Sequence, residues 1–343
     1  MKALITGVSG QDGAYLAKLL CDSGVKVWGG VRKHSGESLW RLNLLGILND
    51  INLFSHENGN GGAISDLLHG EDFDFLFHFA GNSYTIDSIE NPRGTFETNT
   101  LGLLDILETI KRSNYRPNIF VAGSSEIFGD VVLPRAVPCD EETPVSPRNP
   151  YGISHSTNMQ IVDFYRKEYG FKINLGIFFN HESAIRSQQF LTRKLSIALS
   201  SIKEDNKPIP LGNLDSVRDF GYAPNFMRAA MALSKTHFSS NFIFSGGAIH
   251  SIREVVAIFA TLAGFTPKFV GEGLNESCID VKSGNTLFYV SEKYFRKRDT
   301  RGNFGNSKKL EDIIGFHLHK PLIEIAQEMI DFDSANHSLG RMY

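Results

Sequence analysis

Residues 7–13, Gly7-Val8-Ser9-Gly10-Gln11-Asp12-Gly13, stand between the apolar run Ala3–Thr6 and a segment with helical spacing, Asp12–Ser23. In that segment Tyr15, Leu16, Leu19 and Leu20 share a face, and Gly24 is a fitting helix end. Strand, glycine loop and helix in that order leave few folds. Glycines let the backbone turn tightly and approach a pyrophosphate, and the helix start supplies amide donors and a positive dipole end. Gly7, Gly10, Gln11, Asp12 and Gly13 are therefore candidate dinucleotide ligands.

Further strands are expected at Val25–Val31, Ile51–Phe54, Phe73–Ala80, Asn118–Gly123 and Lys172–Phe179, with helices at Thr95–Ser113 and Tyr151–Tyr169. Phe73, Phe75, Phe77 and Phe79 read as strand core, and Phe73–Ala80 is apolar almost throughout, as a strand buried on both faces should be. Strands alternating with helices predict an α/β fold, a doubly wound parallel sheet. After Asn180 the pattern loosens into polar loops and short elements, which predicts a smaller C-terminal domain. The expected boundaries are 1–179 with about 214–264 for the Rossmann-like domain, and about 180–213 with 265–343 for the second.

Composition narrows the function. The 343 residues carry 35 basic and 38 acidic side chains with no block of like charge, so the chain lacks the electrostatic footprint of a nucleic-acid or membrane-surface protein. Cys21, Cys139 and Cys278 have neither disulfide-framework nor zinc spacing, so no metal is expected. The N-terminal apolar run is too short for a signal peptide, and no run of 18 apolar residues occurs, so the chain reads as cytoplasmic.

The end of the second strand reports on the cofactor. A dinucleotide site for NAD wants an acid there for the ribose hydroxyls. This chain has Arg32-Lys33-His34-Ser35 and no acid before Glu37, which favours NADP. The fifth strand ends at Ser124-Ser125-Glu126, and Tyr151 and His155 lie one helical turn apart, on one face of their helix.

At these residues the chain resembles the extended short-chain dehydrogenase/reductase superfamily and, within it, the GDP-mannose 4,6-dehydratases. The resembling segments include Thr6–Gly13, Trp40-Arg41-Leu42, Ser124–Gly129, Pro147–Gly152, Phe179–Ser183, Thr192-Arg193-Lys194, Leu211–Asp215 and Arg218–Gly221. The resemblance implies a redox-neutral dehydration of a nucleotide-diphosphate sugar. In it Tyr151 takes the O4 proton, Ser124 hydrogen-bonds that oxygen, and Glu126 serves as the acid and base of the elimination. It also implies cofactor contacts at Arg32, Glu57, Ala80, Asn82, Tyr151 and His155. Substrate contacts fall at Ser83, Asn180, Thr192, Lys194, Arg218, Arg296 and Asp299. A homo-oligomer, tetramer or dimer, is implied, with Leu39–Ile47 an apolar arm.

Two departures matter. His155 stands where the superfamily has lysine, so it can bond a ribose hydroxyl but gives weaker charge to lower the Tyr151 pKa from its ordinary value near 10. Arg296-Lys297-Arg298-Asp299 replaces the family's Arg-Pro-x-Glu. Two other readings stay open: a nucleotide-sugar 4-epimerase or 4-dehydrogenase, and a catalytically weak nucleotide-sugar-binding homologue.

Overall fold

The computed structural model describes residues 1–32, 39–56, 62–113, 115–129, 137–205, 207–295 and 302–338. The chain opens with β1 (Lys2–Thr6), α1 (Gln11–Asp22), β2 (Lys26–Val31), α2 (Trp40–Leu44), β3 (Ile51–Ser55), α3 (Gly62–Gly70) and β4 (Phe75–His78). It continues through α4 (Thr85–Glu90), α5 (Pro92–Phe96), α6 (Gly102–Arg112), β5 (Asn118–Ser124), α7 (Pro150–Tyr169) and β6 (Ile173–Phe178). Next come β7 (His181–Glu182), α8 (Leu191–Asp205), β8 (Ile209–Leu211), β9 (Val217–Asp219), β10 (Gly221–Tyr222), α9 (Ala223–Ser234) and β11 (Asn241–Phe244). The last elements are β12 (Ile249–Ser251), α10 (Ile252–Leu262), β13 (Pro267–Val270), β14 (Ser277–Asp280), β15 (Thr286–Val290), α11 (Lys308–Ile314) and α12 (Leu322–Ser338).

Two compact units result. The first holds Met1–Phe179, Ala223–Phe244 and Asn306–Leu318; the second holds Asn180–Tyr222, Ser245–Gly305 and His319–Tyr343. Residues 214–222 and helix α10, expected with the first unit, thus belong to the second. There Val255, Val256 and Phe259 of α10 join the core formed with Leu195, Leu199, Met329 and Ile330 of α8 and α12.

The first unit is a seven-stranded sheet in the order β11-β6-β5-β4-β1-β2-β3, parallel throughout. The order reverses between β1 and β4, and at such a switch point the carboxyl ends of the strands open a crevice. Aromatic rings fill the layer behind β5, β6 and β11: Phe178 lies 4.7 Å from Phe244, and Phe120 packs edge-on against Phe244 at 5.7 Å. Gly176 makes room for them, since a Cβ there would come within 2.6 Å of the Phe178 ring. Of the Leu39–Ile47 arm, Leu42 and Ile47 are buried within this unit and Leu44 is exposed.

The helix expected over 95–113 is broken in register. Residues Glu97–Leu101 form a π-helical turn between α5 and α6. α7 starts and stops where its sequence dictates: Asn149 caps it by accepting the Gly152 N–H, Pro150 takes the first position, and Gly170 ends it at φ 64°.

In the second unit β13-β14-β15-β8 form one sheet, antiparallel except for β15 with β8. Two short pairs accompany it: β10 with β7, and β12 with β9. Ser251 and Glu254 form a reciprocal capping box at the start of α10.

Candidate active site

The glycine loop is a cradle that side chains would destroy. Gly7 sits at φ 74°, and a Cβ on it would fall 2.8 Å from the Ala80 nitrogen at the end of β4. A Cβ on Gly13 would fall 2.3 Å from the Gly7 oxygen, and one on Gly10 3.3 Å from it. Gly10 gives α1 no side-chain cap, and Gln11 and Asp12 open that helix. Close backbone approach and a positive helix end at the switch point fit a dinucleotide pyrophosphate. Arg41 of α2, to which the sequence reading gave no role, donates to the Ser9 carbonyl at 3.2 Å and brings a cation to the loop. Arg32 follows β2 and is exposed. Lys33 and Glu57 lie outside the described residues.

The floor of the cradle is neutral. The Thr6 hydroxyl accepts the Ala80 N–H at 3.3 Å and pairs with His78 Nδ1 at 2.8 Å. A hydroxyl has one proton and two lone pairs, so Thr6 either donates to Nδ1 or accepts an Nδ1–H, according to the His78 tautomer. Burial drives the His78 pKa down to about 3, with His56 and His155 adding to the effect. Asn82 is held by a two-way amide contact: its N–H donates to Asn99 Oδ1 at 2.7 Å, and its carbonyl accepts from Asn99 Nδ2 at 3.2 Å. Asn99 lies in the π turn, whose altered register aims its side chain at this loop; nothing in the sequence pattern marks it. Ser83 is exposed in the same loop.

The catalytic candidates converge on the first turn of α7. Tyr151 and His155 meet edge to face with ring centroids 4.5 Å apart. His155 Nδ1 is sealed from solvent without a hydrogen-bond partner, and desolvation lowers its pKa to about 4. The residue is a neutral imidazole at neutral pH. Ser124 ends β5, and its hydroxyl accepts the Glu126 N–H at 3.2 Å. The Glu126 carboxylate accepts from Asn149 Nδ2 at 2.9 Å, while Asn149 Oδ1 accepts the Gly152 N–H at 2.8 Å. One amide therefore ties Glu126 to the helix turn that carries Tyr151. Gly152 permits the approach, because a Cβ there would lie 2.6 Å from the Glu126 carbonyl. Asn149 was missed as a site residue, although Asn before Pro at a helix start is a readable cap.

Asn180, Thr192, Lys194 and Arg218, the described substrate candidates of the second unit, each have local partners. The Asn180 carbonyl accepts the Gly221 N–H at 2.7 Å, beside the β7–β10 pair. Thr192 is buried, and its hydroxyl donates to the buried Glu182, which also pairs with Arg186 at 3.0 Å. Lys194 donates to the Pro210 carbonyl at 2.8 Å and lies 4.8 Å from the Tyr294 ring; burial lowers its pKa. Arg218, half-buried on β9, donates to the Val217 carbonyl at 2.7 Å. Arg296 and Asp299 lie outside the described residues. Among the described residues no cluster of three or more His, Cys, Asp or Glu is placed to hold a metal, and no helix is long and apolar enough to cross a membrane.

A parallel sheet with a glycine cradle at its switch point, and a tyrosine with its partner one turn on, defines a Rossmann-type short-chain dehydrogenase/reductase. Solved structures share the fold: a UDP-glucose 4-epimerase from Thermotoga maritima (TM-score 0.82, 17% identity, 99% of this chain and 100% of that one) is one of them. A dTDP-glucose 4,6-dehydratase from Bacillus anthracis in complex with NAD is another (TM-score 0.80, 18% identity, 98% of each chain). The family model for GDP-mannose 4,6 dehydratase matches residues 4–329. A GDP-mannose 4,6-dehydratase from Sinorhizobium fredii is 31% identical over 96% of both chains, and GDP-mannose 4,6 dehydratase 2 of Caenorhabditis elegans is 31% identical over 97% of this chain and 89% of its own. The chain belongs to the GDP-mannose 4,6-dehydratase family.

Proposed function

We propose that the protein is a nucleotide-sugar 4,6-dehydratase that uses NADP and converts GDP-mannose or a related GDP-sugar to its 4-keto-6-deoxy product. The observation that carries this reading is the Asn149 bridge, which fixes a carboxylate, Glu126, beside the helix turn of Tyr151. A 4-epimerase or 4-dehydrogenase has no use for a base at C5.

Gly7–Gly13, Ala80 and Asn82 would hold a nicotinamide cofactor, which would supply the acceptor for the C4 hydride and return it to C6. Tyr151 takes the O4 proton. Ser124 uses one lone pair on the Glu126 N–H and directs its own O–H to O4. The C4 ketone acidifies the C5–H. Glu126 takes that proton and passes it to the C6 hydroxyl, which leaves as water; a carboxyl group can accept in one half and donate in the other. Hydride at C6 and a proton at C5 complete a reaction without net oxidation. His155, neutral in its buried setting, anchors by hydrogen bonding and leaves the acidification of Tyr151 to the cofactor's positive ring. Asn180, Lys194 and Arg218 are assigned to the nucleotide diphosphate, where a guanidinium fork can bond two oxygens at once, whereas Thr192, buried with its hydroxyl on Glu182, supports the site from behind.

Glu126→Gln tests this assignment. The amide keeps the shape but cannot take the C5 proton. In a single turnover, bound reduced cofactor should accumulate without loss of water from the sugar. Full dehydration by the variant would place the base elsewhere.

A further inference from the structure

β9 is three residues long and pairs with β12 alone in a two-stranded sheet. Three ladder positions fix a strand poorly, yet its middle residue is Arg218. Alternation places Arg218 and Asp219 on opposite faces. Asp219 is 1% exposed. One carboxylate oxygen accepts the Gly246 N–H at 2.9 Å; the other accepts the Ser245 hydroxyl and the Gly305 N–H, the latter at 3.4 Å. Ser245 Oγ in turn takes the Gly247 N–H at 2.9 Å and lies 2.9 Å from the Gly305 carbonyl.

The other side of Arg218 is held as closely. A Cβ on Gly302 would fall 1.8 Å from the Val217 oxygen, so that chain segment rests directly on the strand. A Cβ on Gly246 would fall 2.9 Å from Asp219 Oδ1. Glycines at both contacts let two separate returns of the chain, 245–247 and 302–305, clamp the residues on either side of Arg218.

We propose that Asp219 is a positioning residue of the nucleotide-diphosphate site, holding the β9 backbone so that the Arg218 guanidinium meets its ligand in register. This rests on the assignment of Arg218 to the diphosphate made above. Bidentate recognition tolerates errors of only about 0.5 Å and 10–20°, so a clamp one residue away sets affinity without touching the ligand. The node also ranks the substitutions. Asparagine keeps a carbonyl on the Gly246 N–H, but its amide would face the Gly305 N–H and a Ser245 Oγ whose lone pairs already take the Gly247 and Gly305 N–H groups, so it keeps only part of the node. Alanine removes every contact.

The test measures binding of GDP and, separately, of NADP⁺ to the full chain by calorimetry. Asp219→Ala should weaken GDP binding about tenfold or more, comparable to Arg218→Ala, while Asp219→Asn, which keeps the Gly246 contact, loses less than the alanine variant, and all bind NADP⁺ within about twofold. The double variant Asp219→Ala/Arg218→Ala should bind GDP no more weakly than Arg218→Ala alone, because the two losses are one. Additive losses would reduce Asp219 to a folding residue and overturn the proposal. Native GDP affinity in Arg218→Ala would instead remove the assignment of the site, and the proposal with it. Should Asp219→Ala fail to fold, Ser245→Ala carries the same cycle, because it deletes the donor shared by Asp219 and Gly305.

Discussion

The first unit holds two desolvated histidines as neutral imidazoles, His78 at about 3 and His155 at about 4. The second unit buries charges in pairs, Arg193 with Asp333 and Arg186 with Glu182, and pairs the buried Glu276 with the half-buried Arg253. Among its described acids burial raises Asp219 and Asp333, and Asp219 is wrapped in hydrogen-bond donors. Unpaired buried charge is costly, so each unit avoids it by a different route. The contrast matches the proposed division of labour. Under that proposal the neutral imidazoles would leave a bound cofactor's own charge to act on Tyr151, and Lys194 and Arg218, each bonded to a backbone carbonyl, would meet the anion.

The comparison breaks first at Asn149. If the first unit's chemistry depends on the bridge from Glu126 to α7, Asn149→Ala should lower turnover about 10- to 100-fold, up to the low end of what a positioned acid–base group contributes. Loss of the cap should cost about 1 kcal/mol of stability. GDP binding should stay native. A turnover loss no larger than the stability loss explains would show that the bridge is only a cap.

Stability against pH sharpens the contrast, because the two units move in opposite directions. A histidine with a depressed folded pKa is protonated only in the unfolded chain between about 6.5 and its folded value, so its contribution is retained above 6.5 and lost as pH falls. At pH 5 His155 alone should cost about 2 kcal/mol relative to pH 7.5, and His155→Gln should recover that amount. Asp219 runs the other way. Burial raises its carboxyl to about 6 from 3.8, so it costs stability above pH 6 and the cost disappears as pH falls toward 3.8. The stability of Asp219→Asn relative to the native protein should therefore rise by up to about 3 kcal/mol between pH 4 and pH 7.5. Denaturant titrations at these pH values check both signs.

The smallest effect concerns cofactor choice. Arg32→Ala should weaken NADP⁺ binding about five- to tenfold and NAD⁺ hardly at all, as expected for one exposed phosphate contact. Equal losses for the two cofactors would remove Arg32 from the 2′-phosphate.

Legibility differed between the units for a physical reason. A strand buried on both faces, such as Phe75–His78, writes itself as an apolar run, and a cradle that excludes Cβ atoms writes itself as glycine. The four-stranded sheet of the second unit did not, because β13 is only partly buried and its pattern resembles a loop. The π turn at Glu97–Leu101 kept the apolar spacing of a helix, so neither the break nor Asn99 could be read. Tyr151, Glu126 and Ser124 were legible as types in order along the chain. Their tether through Asn149 needed three dimensions, since it joins residues 23 apart.

The central claim is elimination of water driven by the first unit. Its most direct measurement is the product of GDP-mannose incubated with the protein and NADP⁺ in deuterated water, followed by mass and NMR. The account predicts a 4-keto-6-deoxy sugar that has lost one water, carries one solvent deuteron at C5, and holds the original C4 hydrogen at C6. Unchanged mass with inversion at C4, or an accumulating reduced cofactor with no water lost from the native protein, would contradict it.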